Sequence, residues 1–192
     1  MALLIAGLIV LLGMHSVRVF ADPWRTRMIA RMSLGCWKLL YSVVSLVGLL
    51  MVIEGFGQAR ESMVLLWVPP IGMRHFAGLL VLIAFILLVA AYIPRNVFKA
   101  RLHHPMLIGV KLWAFAHLLA NGALTHVLLF GALLLWSAIA LRAAAQRDRA
   151  VGTVYAAGTT AGTVSCALAG AALWALTAFW LHGVLIGVRP FG

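Results

Sequence analysis

Two histidines, His15 and His117, lie in strongly apolar surroundings and are the side chains best placed to do chemistry. His117 falls within residues 112–141, a stretch that contains no Lys, Arg, Asp or Glu, and His15 falls within the apolar run of residues 2–17. A polar group that enters hydrocarbon without a hydrogen bond costs several kcal/mol, so an intramembrane imidazole normally faces a cofactor, a cavity or another polar group. We therefore expect each of these histidines to have a specific partner.

The composition predicts the environment in which these histidines act. The chain is 65% hydrophobic and only 10% charged, whereas about 25% of residues are charged in soluble domains. Its mean hydropathy is +1.08. We expect a multi-pass membrane protein with the lipid bilayer as its partner. Residues 1–192 should form a single domain, because about six spanning helices leave no room for a soluble module.

The net charge of +11 has a topological interpretation. In a soluble protein it would suggest nucleic acid, but here the basic residues cluster at the ends of apolar runs, so no nucleic-acid partner is expected. Cys36 and Cys166 show no CxxC spacing and are predicted to be free thiols. The four acidic residues lie outside the apolar runs or at their edges, which argues against paired-carboxylate chemistry inside the membrane.

Uncharged runs predict an all-α, polytopic membrane helix bundle of about six transmembrane helices. The stretch 105–141 is too long for one helix and is split at Asn121-Gly122, a turn dipeptide. The start of the last run is predicted to be interfacial or a packed helix extension, since its small residues suit close helix approach, and a seventh span stays open. The predicted spans are residues 2–17, 33–53, 75–94, two helices within 105–141, and 164–188.

The distribution of basic residues predicts the orientation. Segments 18–38, 95–111 and 142–149 carry five, four and three Lys or Arg residues, whereas the alternate loops have no net charge. By the positive-inside rule, both termini lie outside.

In this topology, His15 and His117 are predicted to lie at matched depth. They are three residues from Arg18 and six from Lys111, hence about 4.5 and 9 Å from the cytoplasmic ends of their helices. Two imidazoles on different helices can clamp a haem from its two sides. The alternative is that they only hydrogen-bond to carbonyls or hydroxyls and tie helices together. Asn121 either orients the His117 ring or simply belongs to the turn.

Other polar side chains suit the same interpretation or a second site. Cations near the interface are candidates to hold haem propionates: Arg18, Arg25, Arg95, Lys99 and Lys111. Three further histidines, His75, His126 and His182, fall near the non-cytoplasmic helix ends and form either a metal, quinone or proton-transfer site or a set of water-exposed interfacial residues. His103 and His104 are expected in the headgroup region.

The chain resembles the NnrU family of bacterial membrane proteins, which is related to zeta-carotene isomerase. The resemblance covers nearly the whole chain, and its most specific part runs from His104 to Gly122. The matching segments are His15-Ser16-Val17-Arg18, residues 24–31, Trp37-Lys38-Leu39-Leu40-Tyr41-Ser42, His104-Pro105-Met106-Leu107-Ile108-Gly109, residues 112–122 and Leu185-Ile186-Gly187-Val188.

The resemblance implies a haem b held by two histidines, which correspond to His15 and His117 and would be the axial ligands of the iron. Arg18 and Asn121 are further candidate haem-binding residues because of their positions next to these histidines in the sequence. The isomerase has a Cys three residues before the second of these histidines, where this chain has Ala114, so this chain lacks that thiol. The family further implies a bacterial inner (cytoplasmic) membrane protein linked to denitrification, acting in redox sensing or electron handling with a membrane redox partner or a nitrite or nitric oxide reductase system.

Two other functions stay open from the sequence. The His104–Gly109 segment is similar to the HPxxxG element of membrane methyltransferases, so a membrane isomerase or methyltransferase that acts on a lipid-soluble substrate is one alternative. A cofactor-free membrane assembly factor is the other.

Overall fold

The computed structural model describes residues 1–191, and these residues are almost entirely helical. Within them there is no strand, and the one extended pairing is an isolated bridge between Leu65 and Ala123. The predicted all-α bundle is confirmed. The helices are α1 Ala2–Phe20, α2 Asp22–Met32, α3 Leu34–Arg60, α4 Met73–Ala90, α5 Val97–Leu102, α6 Pro105–Ala120, α7 Leu124–Val151, α8 Thr160–Leu176 and α9 His182–Ile186, with a π-helical turn at Thr177–Leu181 between the last two.

Six apolar helical segments within residues 1–191 account for the predicted spans. Five are long and apolar enough to cross a bilayer: α1, α3, α4, α7 and the continuous segment Thr160–Ile186. The sixth, α6, is apolar but shorter. The predicted break at Asn121-Gly122 is confirmed, because α6 ends at Ala120 and α7 begins at Leu124.

Several boundaries differ from the hydropathy pattern for a physical reason. α7 continues past the apolar run to Val151, and α3 continues to Arg60. Ala, Arg and Gln favour helix whether or not they lie in lipid, so a polar sequence extends a helix beyond the membrane. Loss of hydropathy therefore marks the edge of the bilayer and not the end of the helix.

Two helices occupy segments that the sequence predicts only as basic loops. α2 follows α1 after a single residue and begins with Pro at its first turn, and α5 is capped by the Asn96 side chain, which accepts from the Lys99 amide at 2.7 Å. Both carry basic residues and neither has a buried residue. Their amphipathic composition suits helices at the membrane surface.

Small residues set the packing of the spans. α1 runs against α3 with glycines at the contact, and a Cβ at Gly7 would lie 2.6 Å from the Val52 amide nitrogen. Leu4, Leu8 and Val52 form the core there, and Leu129 of α7 packs on it. α4, α6 and α8 form a second group. The α6–α7 hairpin joins the two groups of three helices.

The segment before α8 packs on the chain near Asn96 and is not a helical extension. The Thr159 amide donates to the Arg95 carbonyl at 2.7 Å, and the Val97 amide donates to the Thr163 hydroxyl at 3.0 Å. A Cβ at Gly162 would lie 2.6 Å from that same Arg95 carbonyl. The small residues predicted to allow close approach do so, but their partner is the α4–α5 connection.

Candidate functional site

His15 is held by its own helix. Its Nδ1 lies 2.8 Å from the Leu11 carbonyl, one turn back on α1. A carbonyl can only accept, so Nδ1 donates this hydrogen bond, and in the neutral imidazole Nε2 then carries the lone pair. The centroid of its ring lies 5.1 Å from that of Tyr41 on α3. The ring also packs edge-on to Trp136 of α7, with the centroids 5.8 Å apart. His15 thus lies where α1, α3 and α7 meet, with its ligand nitrogen available.

His117 repeats this arrangement on α6. Its Nδ1 lies 2.9 Å from the Trp113 carbonyl, again four residues back. The ring packs between Trp113 at 4.7 Å and Phe130 of α7 at 4.5 Å. Asn121 donates through Nδ2 to the His117 backbone carbonyl at 2.8 Å, so it closes the last turn of α6 and does not bond the imidazole.

The two histidines contact different parts of α7. Trp136, which touches His15, and Phe130, which touches His117, are six residues apart, hence about 9 Å along the helix and roughly 240° around it. α1 and α6 each pack on α7. The two rings therefore lie on different sides of α7.

The prediction that His15 and His117 lie at matched depth is wrong, because Lys111 does not mark the cytoplasmic end of α6. His117 lies three residues before the end of α6, whereas Lys111, which served as its cytoplasmic marker, lies in the second turn of that helix. A lysine can reach the interface from inside a span by extending its side chain. Its Cα is therefore an unreliable marker of the membrane edge.

Each imidazole fits a haem iron as a donor, but the pair does not fit one iron in this packing. The free Nε2 atoms are the nitrogens that iron needs. A shared haem would require the rings to face each other, and here they flank α7. Arg18, one of the five cations predicted as candidates for the propionates, is exposed at the end of α1, and its carbonyl accepts from Arg147 at 3.4 Å.

His117 has other histidines as its neighbours. His126 and His182 lie within electrostatic range of it. The His126 ring is nearly parallel to Phe130 at 6.2 Å, and its Nδ1 is buried without a hydrogen-bond partner in residues 1–191. His182 Nδ1 lies 2.6 Å from the Val188 carbonyl. The structure thus brings together two of the three histidines predicted near the non-cytoplasmic ends and adds His117 to them.

These histidines do not assemble a metal centre. His75 is exposed and stacks on Phe191, with the ring centroids 5.9 Å apart. Over the described part of the chain, no group of three or more His, Cys, Asp or Glu side chains is arranged to hold a metal ion.

A separate polar cluster lies where the HHP segment meets the end of α7. The Tyr155 hydroxyl donates to Asp148 Oδ2 at 2.5 Å, and His104 Nε2 lies 2.9 Å from the same oxygen. The His103 ring stacks on Tyr155 at 4.3 Å. Burial, together with the hydrogen bond to the Asp148 carboxylate and its charge, raises the pKa of Tyr155 to about 12.

The sequence missed this cluster because the His103-His104 pair is far along the chain from Asp148 and Tyr155. Tyr155 carries no motif, and Asp148 looks like an ordinary charge at a helix end. The one usable signal was the HHP segment itself, since adjacent histidines before the N1 proline of α6 must lie near whatever covers that helix start.

A family model described as NnrU protein matches residues 3–190, which is nearly the whole chain. The chain belongs to the NnrU family, as its sequence predicts. No curated protein and no solved structure gives a significant match.

Proposed function

We propose that this NnrU-family protein is a bacterial inner-membrane protein that binds haem b and acts in denitrification, in redox sensing or electron handling tied to nitrite or nitric oxide reductases. The denitrification role rests on family membership. The observation that supports haem binding is the shared anchoring of His15 and His117, which leaves Nε2 free in both.

The proposal assigns the iron-ligating role to these two imidazoles. When bound, haem b supplies one-electron redox chemistry. The chain's own part is to orient each ring through a hydrogen bond to a carbonyl one turn back and to pack aromatic side chains against it. Because the two rings lie on different sides of α7 in this packing, their binding of one iron requires α1 and α6 to shift relative to α7.

Absorption spectra of the purified protein and three variants test this proposal. The wild type, reconstituted with haem b, should show a Soret band, and His15→Ala and His117→Ala should each weaken or shift it. His75→Ala is the matched control, because His75 is exposed and stacks on Phe191. A wild type without a Soret band, or equal spectra for all three variants, would refute the proposal.

A cofactor-free assembly factor is the second candidate, favoured by the position of the two rings on different sides of α7. In that case both imidazoles only stabilise helix packing, and each is already hydrogen-bonded within its own helix. His15→Ala and His117→Ala would then leave reductase activity in cells unchanged, whereas substitutions on a lipid-facing surface would abolish partner binding.

A further inference from the structure

Two apolar clefts flank a single ridge on α7. The larger, of about 660 Å³, lies between α6 and α7, and the smaller, of about 250 Å³, lies between α1 and α7. Leu135 lines both clefts and is 64% exposed, so it forms the ridge between them. The two clefts therefore open on the same side of the molecule as neighbouring grooves.

Cations lie at one end of these grooves. Lys111 is the single charged residue in the lining of the larger cleft. Arg142 is exposed and lies seven residues after Leu135, so it continues the same face of α7 about 10 Å further along. A hydrogen bond from Arg147 to the Arg18 carbonyl joins α7 to α1 at this end. The grooves thus lead from apolar lining to a basic rim.

Carboxylates do not neutralise this rim. Two of the four acids of the chain, Asp22 and Asp148, lie at this end. Asp22 pairs with Arg25 at 3.3 Å, and Asp148 is engaged by His104 and Tyr155. Lys111 and Arg142 have no carboxylate partner in the part of the chain that the structure describes. Their charge suits an anion from outside the chain.

We propose that this face of α7 binds an anionic two-chain phospholipid. One acyl chain lies in each cleft, on either side of Leu135, and the phosphate lies at Lys111 and Arg142. The apolar lining matches the chains, the paired grooves match their number, and the basic rim matches the headgroup charge. The site is independent of haem and of both imidazoles, since neither His15 nor His117 lines a cleft.

Native mass spectrometry of the full-length protein, with phosphatidylglycerol and phosphatidylcholine of identical acyl chains, tests the charge requirement. Phosphatidylglycerol should be retained more strongly. Lys111→Gln and Arg142→Gln should each weaken its retention about fivefold, which is the contribution of one cation near a membrane surface. Arg142→Lys should restore most of it. Arg101→Gln, an exposed cation on α5, is the matched control and should change retention less than twofold.

The acyl-chain requirement has its own variant. Gly131 lines the larger cleft, and apart from the adjoining residues and the backbone of α7 no atom lies within 4 Å of a Cβ there, so Gly131→Leu places a bulky side chain in the path of an acyl chain. This variant should lose diacyl phosphatidylglycerol and keep its single-chain lyso form. Equal retention of the two headgroups, equal effects of Arg101→Gln and Arg142→Gln, or displacement of the lipid by free glycerol phosphate would overturn the proposal.

Discussion

His15 and His117 share a local geometry but differ in the helices and side chains that surround them. Both rings bond the carbonyl four residues back, and both pack on aromatic side chains. His15 joins α1 to α3 and α7, whereas His117 lies between α6 and α7 with two further histidines nearby. The comparison shows that a helix can set the tautomer of an imidazole by itself, while the packing of several helices decides what that imidazole faces.

The largest effect should come from the aromatic support of His117. Phe130 is 6% exposed and contacts Trp113, His117 and His126. Phe130→Ala should cost about 3–5 kcal/mol, because a buried ring leaves a cavity. This corresponds to a fall of roughly 6–20 °C in the melting temperature.

Thermal unfolding in detergent measures this effect. Phe179→Ala is the control, since the same truncation removes a side chain that is 65% exposed. If both variants melted at the same temperature, Phe130 would not support the His117 side of the molecule.

A smaller effect is expected from substitution of Gly48 on α3. This glycine packs against Leu11 of α1, whose carbonyl is bonded to His15. A Cβ at Gly48 would lie 2.7 Å from the Leu11 amide nitrogen. Gly48→Leu should therefore push α1 from α3 at a cost of about 1–3 kcal/mol. Tryptophan fluorescence should change through Trp136, which contacts His15, while the His117 side stays packed.

Gly13→Leu provides the matched control for Gly48→Leu. It makes the same substitution on α1 at a position where, apart from the adjoining residues and the backbone of α1, no atom lies within 4 Å of the Cβ. Leu favours the helix more than Gly does, so Gly13→Leu should lose no stability. An equal loss of stability in the two variants would contradict the assignment of the effect to the α1–α3 contact.

The smallest effect should be confined to the cluster of Tyr155, Asp148, His103 and His104, which lies away from His15 and His117. The folded protein holds the phenolic proton more tightly than the unfolded chain, because the pKa of Tyr155 is raised from 10 to about 12. Its contribution to stability is present below pH 10 and is lost between about pH 10 and 12. Asp148→Asn should lower this pKa but leave it above 10, since burial remains.

Absorbance of the tyrosinate ion, titrated against pH, gives the measurement, with Tyr155→Phe to assign the signal and Asp22→Asn as the control. An unchanged titration in Asp148→Asn would show that the carboxylate does not act on Tyr155.

The sequence predicted the spans well because lipid imposes a simple rule. A helix that crosses hydrocarbon must satisfy its backbone internally and present apolar side chains, and uncharged runs record this directly. The turn at residues 121–122 followed from the same pattern. The uncharged runs did not predict α2 and α5, because a helix at the membrane surface needs neither the length nor the uniform hydropathy of a span.

The arrangement of the candidate site was harder to predict because it depends on which helices are neighbours. Depth counted along one helix says nothing about lateral position. It therefore did not reveal that His15 and His117 lie on different sides of α7, or that His126 packs on the same Phe130 ring as His117. The Asp148–Tyr155 contact likewise depends on the fold of residues 152–159 against the start of α6.

The most direct test of haem binding is a pyridine haemochrome assay on the wild-type protein purified from membranes and reconstituted with haem b. We expect a haem b signal that is reduced in the His15→Ala, His117→Ala double variant and retained in His75→Ala. No signal in the reconstituted wild type, or an undiminished signal in the double variant, would contradict it.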